Sequence, residues 1–334
     1  MNDTKYHVRY NSLYTLTFSM LFSFFMILSA PHTMEGLAGD VSNEFQSKKL
    51  QDFNFVAAGD FGCGDSANKT ITNMMSKKPE LVLALGDLSY QKNADCWFNI
   101  ISPLESDAKF KITIGEHDLA DNPTIYYEYI KHFNLIKPFY SFEYQNVHFL
   151  VMTTAKNSRV PYLNDSEQYK FVKQDLEKAH NNDSINWIIV SSFRAFYSTN
   201  TTHPGLDKLQ DIYHLLFDKY DVDIVLQAHN HNYQRTYPLS YNQIRQSSPI
   251  ITDNDDNDYS NIKKGQIFFT VGTGGAELYN FTGQAPYVVK QFARHGFLNV
   301  DIRDGGSKMI GTFYDNVGGN DIDHFTIQKK IRKD

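Results

Sequence analysis

Four apolar runs in this chain each lead directly into residues that can hold or assist a metal ion. Residues 55–58 run into Gly59-Asp60-Phe61-Gly62, and residues 81–85 into Gly86-Asp87-Leu88-Ser89-Tyr90. Residues 112–114 run into Gly115-Glu116-His117-Asp118, and residues 224–226 into Gln227-Ala228-His229-Asn230-His231. A single Gly-Asp after a strand is an ordinary turn, and a single His-x-His is an ordinary strand end. Four such ends in one chain are a different matter. In open α/β sheets the ligand-binding crevice lies beyond the carboxyl ends of the strands, so Asp60, Asp87, Glu116, His229 and His231 should share one rim. Carboxylates crowded there repel one another unless a cation offsets them. The chemistry this points to is metal-assisted hydrolysis, in which cations activate water and clamp an anionic substrate.

Stepping outward from the rim, the pattern alternates short apolar runs with helical spacing. Strands are expected at 53–58, 81–85, 111–114, 187–190 and 224–226. Helices are expected at 67–78, 123–133, 166–180 with Ser166 as N-cap, and 206–220. Residues 139–144 and 147–153 read as a hairpin turning at Gln145-Asn146. This alternation implies a layered α/β fold. The later runs, 266–271, 296–301 and 309–314, have few helices between them and suggest a second, antiparallel sheet.

The ordered blocks around Asp60, Asp87, Glu116 and His229 resemble those of the calcineurin-like metallophosphoesterases. Tyr90 in the second block narrows the resemblance to the purple acid phosphatases. Val271-Gly272-Thr273-Gly274-Gly275-Ala276 and the stretch 232–238 also fit, so the resemblance covers residues 53–318. It implies a four-layer α/β/β/α sandwich of two mixed sheets flanked by helices, with a binuclear centre hydrolysing phosphate monoesters. By position, Asp60, Asp87, Tyr90 and His231 would hold the first metal. Asp87, Glu116 and His229 would hold the second. Phenolate and carboxylate donors suit Fe(III) at the first site; imidazole and carboxylate suit Fe, Zn or Mn at the second. His117 or His203 would protonate the leaving group.

Three positions depart from the family pattern. Glu116 stands where the family has Asn. Phe193 follows Val190-Ser191-Ser192 where the family has a ligating His, and a phenyl ring cannot ligate. Ala228 replaces a Gly before the first His of the last block. The second metal thus loses an imidazole, and Glu116 adds a negative charge. The alternative reading is a catalytically degenerate protein that binds metal or phosphate without turnover.

Residues 13–31 form an uncharged apolar run behind Lys5 and Arg9, the layout of a signal peptide or a retained membrane anchor. The expected organisation is therefore an export segment at 1–38, a polar linker at 39–52 and the catalytic domain at 53–330. The expected partner is a small phosphorylated substrate, with membrane attachment if the apolar segment is retained. The formal charge of −6 and the lack of a Lys/Arg block exclude a nucleic-acid footprint. No Gly-x-Ser-x-Gly or His-Glu-x-x-His motif is present, which weighs against serine-hydrolase and zinc-protease chemistry. Cys63 and Cys96 each follow one of the rim motifs. They could form a disulfide in an exported chain, and the sequence leaves this open.

Overall fold

A computed structural model describes residues 50–119, 123–156, 158, 160–260 and 264–330. The expected export segment, and the linker up to residue 49, lie outside the described residues. No helix among the described residues is long and apolar enough to cross a membrane.

The chain runs β1 (Phe53–Ala58), α1 (Asp65–Ser76), β2 (Leu81–Ala84), α2 (Asp95–Glu105), β3 (Lys109–Ile112), α3 (Pro123–His132), β4 (Tyr140–Tyr144), β5 (Val147–Val151), α4 (Glu167–His180) and β6 (Trp187–Ser191). It continues through α5 (Asp207–Leu209), a π-helical turn (Gln210–His214), α6 (Leu215–Lys219), β7 (Ile224–Gln227), β8 (Tyr233–Thr236), β9 (Leu239–Ser240), β10 (Ile250–Ile251), β11 (Asp258–Tyr259), β12 (Ile267–Val271), β13 (Val288–Phe292), β14 (Gly296–Arg303), β15 (Lys308–Asp315) and β16 (Asp321–Gln328).

Two mixed sheets result. The first has the order β11-β16-β15-β14-β1-β2-β3, the second β13-β8-β12-β7-β6-β5-β4. Strands β1, β2 and β3 are parallel to one another, as are β5, β6, β7 and β12. Side-chain alternation shows how the layers stack. Trp187 and Ile189 of β6, Ile224 and Leu226 of β7, and Ile267 and Phe269 of β12 enter the core shared with the first sheet. Their neighbours Ile188, Val190, Val225 and Phe268 face a second core built with Val172 and Leu176 of α4 and with Leu209, Tyr213 and Phe217. This period of two is what a strand buried on both faces requires. Helices α1–α3 contribute Ile71, Met74, Trp97, Leu104 and Tyr129 to the first core. The four-layer expectation is therefore met.

Two local expectations are corrected. The later antiparallel strands form no sheet of their own. β14 and β15 extend the first sheet from β1, while β12 joins the second through β7. The helix expected at 206–220 is interrupted by the π turn, where Gln210 Nε2 donates to Phe196 O (2.5 Å) and His214 Nδ1 meets the Tyr197 hydroxyl (2.7 Å). Tertiary hydrogen bonds to one loop thus accompany the widened turn, and such bonds leave no trace in helical periodicity. The Ser166 cap is present: its hydroxyl accepts the Tyr169 N–H at 3.1 Å.

Cys63 and Cys96 form a disulfide with Cα atoms 5.9 Å apart. It ties the loop after β1 to the start of α2, and Cys63 Sγ also lies 3.5 Å from Ser89 O. The bridge closes a loop of 33 residues, for which chain entropy gives a stabilisation of about 2–4 kcal/mol. Replacing both cysteines with alanine should lower the unfolding free energy by that amount, read as a lower urea midpoint, with a higher m-value because the unfolded chain is no longer cross-linked.

Candidate metal centre

The carboxyl ends of the parallel strands of both sheets meet at one rim. The Gly59 N–H donates to Val271 O (2.8 Å), the Asp60 N–H to Gly86 O (2.9 Å) and the Phe61 N–H to Asp87 O (3.0 Å). These bonds lock the turns after β1, β2 and β12 together. Four residues on the turns take left-handed backbone conformations: Asp60 (φ 55°), Asp87 (φ 51°), Tyr90 (φ 57°) and His229 (φ 71°). Non-glycine residues at such angles are strained by about 1–3 kcal/mol each and cluster at functional sites. Two close approaches also constrain the rim. A Cβ on Gly272 would lie 2.5 Å from Asp60 Oδ2, and one on Gly59 would lie 2.6 Å from the Ala228 methyl.

The tightest convergence is Asp60, Tyr90 and His231. The Tyr90 hydroxyl lies 2.9 Å from both Asp60 Oδ1 and His231 Nε2, and those two atoms are 3.5 Å apart. Protons are scarce among them. The His231 Nδ1–H donates to the Glu277 carbonyl at 2.6 Å, so on a neutral ring Nε2 presents its bare lone pair. Burial pushes His231 below its ordinary value and so favours the neutral ring. Tyr90 then has one proton to share between two acceptors. Burial and the neighbouring Asp60 push its phenol far up, so it ionises only with help from a cation.

The carboxylates carry the same message. Asp60 is completely buried, and its pKa is pushed up to about 7, chiefly by that burial. Asp87 is pushed well above the carboxylate range by burial and by Asp60 and Asp118. Buried anions so raised lack a compensating charge. Adjacent ligands of one ion at ~2.1 Å stand ~3 Å apart, which is the spacing observed around Tyr90. The Asp60, Tyr90 and His231 set therefore fits a cation. Among the described residues, no three His, Cys, Asp or Glu side chains gather into a metal-holding group; the trio that converges includes a tyrosine.

The remaining expected residues surround this trio without joining it. Asp87 Oδ1 accepts the His117 N–H at 2.8 Å. The His117 ring lies 4.4 Å from that of Tyr90. The His203 and His229 rings stack at 3.9 Å. Burial holds His117 and His203 below their ordinary values and takes His229 down to about 3, helped by His203 and Arg194. Glu116 turns to the rim's edge, where Oε1 accepts the Lys156 N–H (3.1 Å) and faces Arg194 Nε (3.3 Å).

Three residues of the site escaped sequence reasoning. Asp118 is fully buried and accepts the N–H groups of Asp87, Leu88 and Gly115, each at 2.8 Å. It shapes the turns that carry the second and third blocks. Its position in Gly115-Glu116-His117-Asp118 was the available signal. Tyr279 stacks on the His231 ring at 4.0 Å, and Arg194 pairs with Glu116; neither sits in a motif.

This fold is that of the calcineurin-like phosphoesterases. A family model for calcineurin-like phosphoesterases matches residues 53–233, and the chain belongs to that family. Within it, the curated relatives include purple acid phosphatases. Purple acid phosphatase 21 of Arabidopsis thaliana is 28% identical over 241 residues, 66% of this chain and 49% of that protein. Probable inactive purple acid phosphatase 27 of the same plant is 26% identical over 313 residues, 84% of this chain and 48% of that protein. The chain thus spans about half the length of these relatives. The purple acid phosphatase PPD1 from yellow lupin seeds shares the fold, with a TM-score of 0.70 at 21% identity over 85% of this chain and 55% of that one. GAP50 of Plasmodium shares it with a TM-score of 0.64 at 16% identity, over 84% of this chain and 89% of that one.

Proposed function

We propose that the chain is an exported hydrolase of small phosphate monoesters, working at a metal centre founded on Asp60, Tyr90 and His231 with Asp87 beside them. The convergence of Asp60 Oδ1, the Tyr90 hydroxyl and His231 Nε2 within 3.5 Å carries this reading. A cation bound there supplies Lewis-acid polarisation of a phosphoryl oxygen and a more acidic water. Phenolate and carboxylate donors favour Fe(III) in that place. The chain's own residues do the rest. Glu277 fixes the tautomer of His231 through its carbonyl. Asp118 holds the turn that presents Asp87. His117 and His203 flank the trio as candidate acids for the leaving alkoxide, and a histidine shifted downward is a stronger acid once protonated. Export rests on the apolar segment at 13–31, and the Cys63–Cys96 bridge suits an oxidising compartment. A retained segment would also anchor the protein to a membrane.

A second reading, phosphate binding without turnover, is favoured by Phe193 and by the engagement of Glu116 with Arg194. One experiment separates the two. Chelator-stripped protein is reloaded with iron or zinc and assayed against p-nitrophenyl phosphate at pH 5–7. Metal-dependent release of p-nitrophenol is the expected result. Metal uptake and inorganic phosphate binding with no turnover would establish the second reading instead.

A further inference from the structure

We infer that Arg194 stands in for a second metal ion: the centre holds one cation beside Asp60, and the Arg194 guanidinium is the positive group that a substrate phosphate meets on the opposite side. The inference rests on the metal-centre reading above and deepens it.

The corner bounded by His229 and by the glycine turns that lead to Asp87 and Glu116 is already furnished. The Phe193 ring is fully buried there, with its centroid 5.0 Å from that of His229. A Cβ on Gly86 would lie 2.7 Å from this ring and one on Gly115 2.8 Å. The phenyl group is therefore packed directly on the two glycine turns that lead to Asp87 and Glu116. It offers no ligand and fills space that a hydrated ion would need. One oxygen of each nearby carboxylate is engaged as well. Asp87 Oδ1 takes the His117 N–H, and Glu116 Oε1 takes the Lys156 N–H.

The charge in this corner comes from Arg194. Its Nε lies 3.3 Å from Glu116 Oε1, and its side chain is 20% exposed. Its backbone is fixed by an N–H bond to Thr154 Oγ1 at 2.8 Å. Guanidinium stays protonated at any working pH, so a divalent ion placed beside it would be repelled at short range in a poorly screened site. Glu116 engages only the Nε edge. Among the described residues no hydrogen bond or ion pair engages Nη1 or Nη2, and this planar pair of donors matches two oxygens of a phosphate. The Nε–Glu116 contact is an ion pair without a hydrogen bond among the described residues, and it offsets part of the guanidinium charge.

The test uses the full chain, stripped with chelator, titrated with Zn(II) and analysed for zinc per chain, then titrated with inorganic phosphate by calorimetry. We expect one zinc per chain in the parent protein. Arg194→Ala should keep that zinc and weaken phosphate binding about tenfold or more, the loss of charge-assisted hydrogen bonds. Arg194→Lys, which keeps the charge and loses the fork, should fall between. The combined change Phe193→His, Glu116→Asn and Arg194→Ala should admit a second zinc. Two zinc ions in the parent protein, or unchanged phosphate affinity in Arg194→Ala, would overturn the inference and leave the metal-centre reading standing. No zinc, and no iron when Fe(III) is titrated in its place, would overturn both. A thermal melt checks each variant; should Arg194→Ala fail to fold, Arg194→Gln keeps the polar bulk and decides by the same affinity criterion.

Discussion

Asp60→Asn is expected to abolish metal binding and turnover together while making the metal-free protein more stable. The substitution is nearly isosteric and can still accept the His229 N–H that Oδ2 now accepts at 2.9 Å. What it removes is the charge. Loss of a supporting residue around a metal commonly costs 10–100-fold in affinity or activity, so loss of a ligand charge should cost at least about a hundredfold in both. The opposite sign for stability follows from burial. Near neutral pH the metal-free fold bears an uncompensated carboxylate whose pKa is pushed up to about 7, and each unit of that displacement corresponds to about 1.4 kcal/mol. Asparagine relieves it, for a gain of ~2–4 kcal/mol in metal-free protein at pH 7.5. Denaturant melts with and without metal check both halves. Retained metal in Asp60→Asn, with parental turnover, would mean that the centre is founded elsewhere.

The pH profile of the metal-free parent should run opposite to that of a protein held by ion pairs. Between pH 4 and 7 the folded chain keeps a proton on Asp60 that the unfolded chain has already lost. The folded state therefore binds more protons, and stability falls as pH rises through that window, by about 1.4 kcal/mol per unit from this group alone. Asp118, pushed up to about 6 by burial, adds to the slope below pH 6. Asp87 is displaced in the same direction. Metal should reverse the trend, because ligands must lose their protons to bind it. The difference in Tm between loaded and stripped protein should widen by several degrees from pH 5 to 7.5. A stripped protein whose stability instead rises steadily over that range would show that these carboxylates are compensated by something other than a metal.

Much of the fold could be read from apolar runs because the strands are buried on both faces. β1 matches its expected bounds, and the 140–151 hairpin turns where Gln145 takes φ 53°. The rim was legible for the same reason: strand ends in a parallel sheet must gather, so Asp60, Asp87, Glu116 and His229 could be placed before any coordinates. What resisted was long-range. Nothing local tells that 296–315 pairs with β1 and not with β12. Helix α2 carries Pro103, which masks its periodicity. Glu116 was expected to ligate a second metal; its carboxylate also pairs with Arg194, 78 positions away in sequence, while its charge still acts on Asp60 and Asp87. Side-chain pairing of that kind depends on tertiary neighbours and leaves no periodic mark.

The contact between Gly59 and Ala228 bears on how this sequence can change over time. With a methyl at 228, any side chain at 59 would meet it at 2.6 Å, and it would also stand 3.0 Å from Leu85 Cβ, so position 59 is closed on two sides. Losing the methyl at 228 removes one of these contacts and leaves the other, so a side chain at 59 also needs Leu85 to shift. Glycine at 59 is thus held by neighbours on two turns, and a change there would have to travel with changes at both 85 and 228.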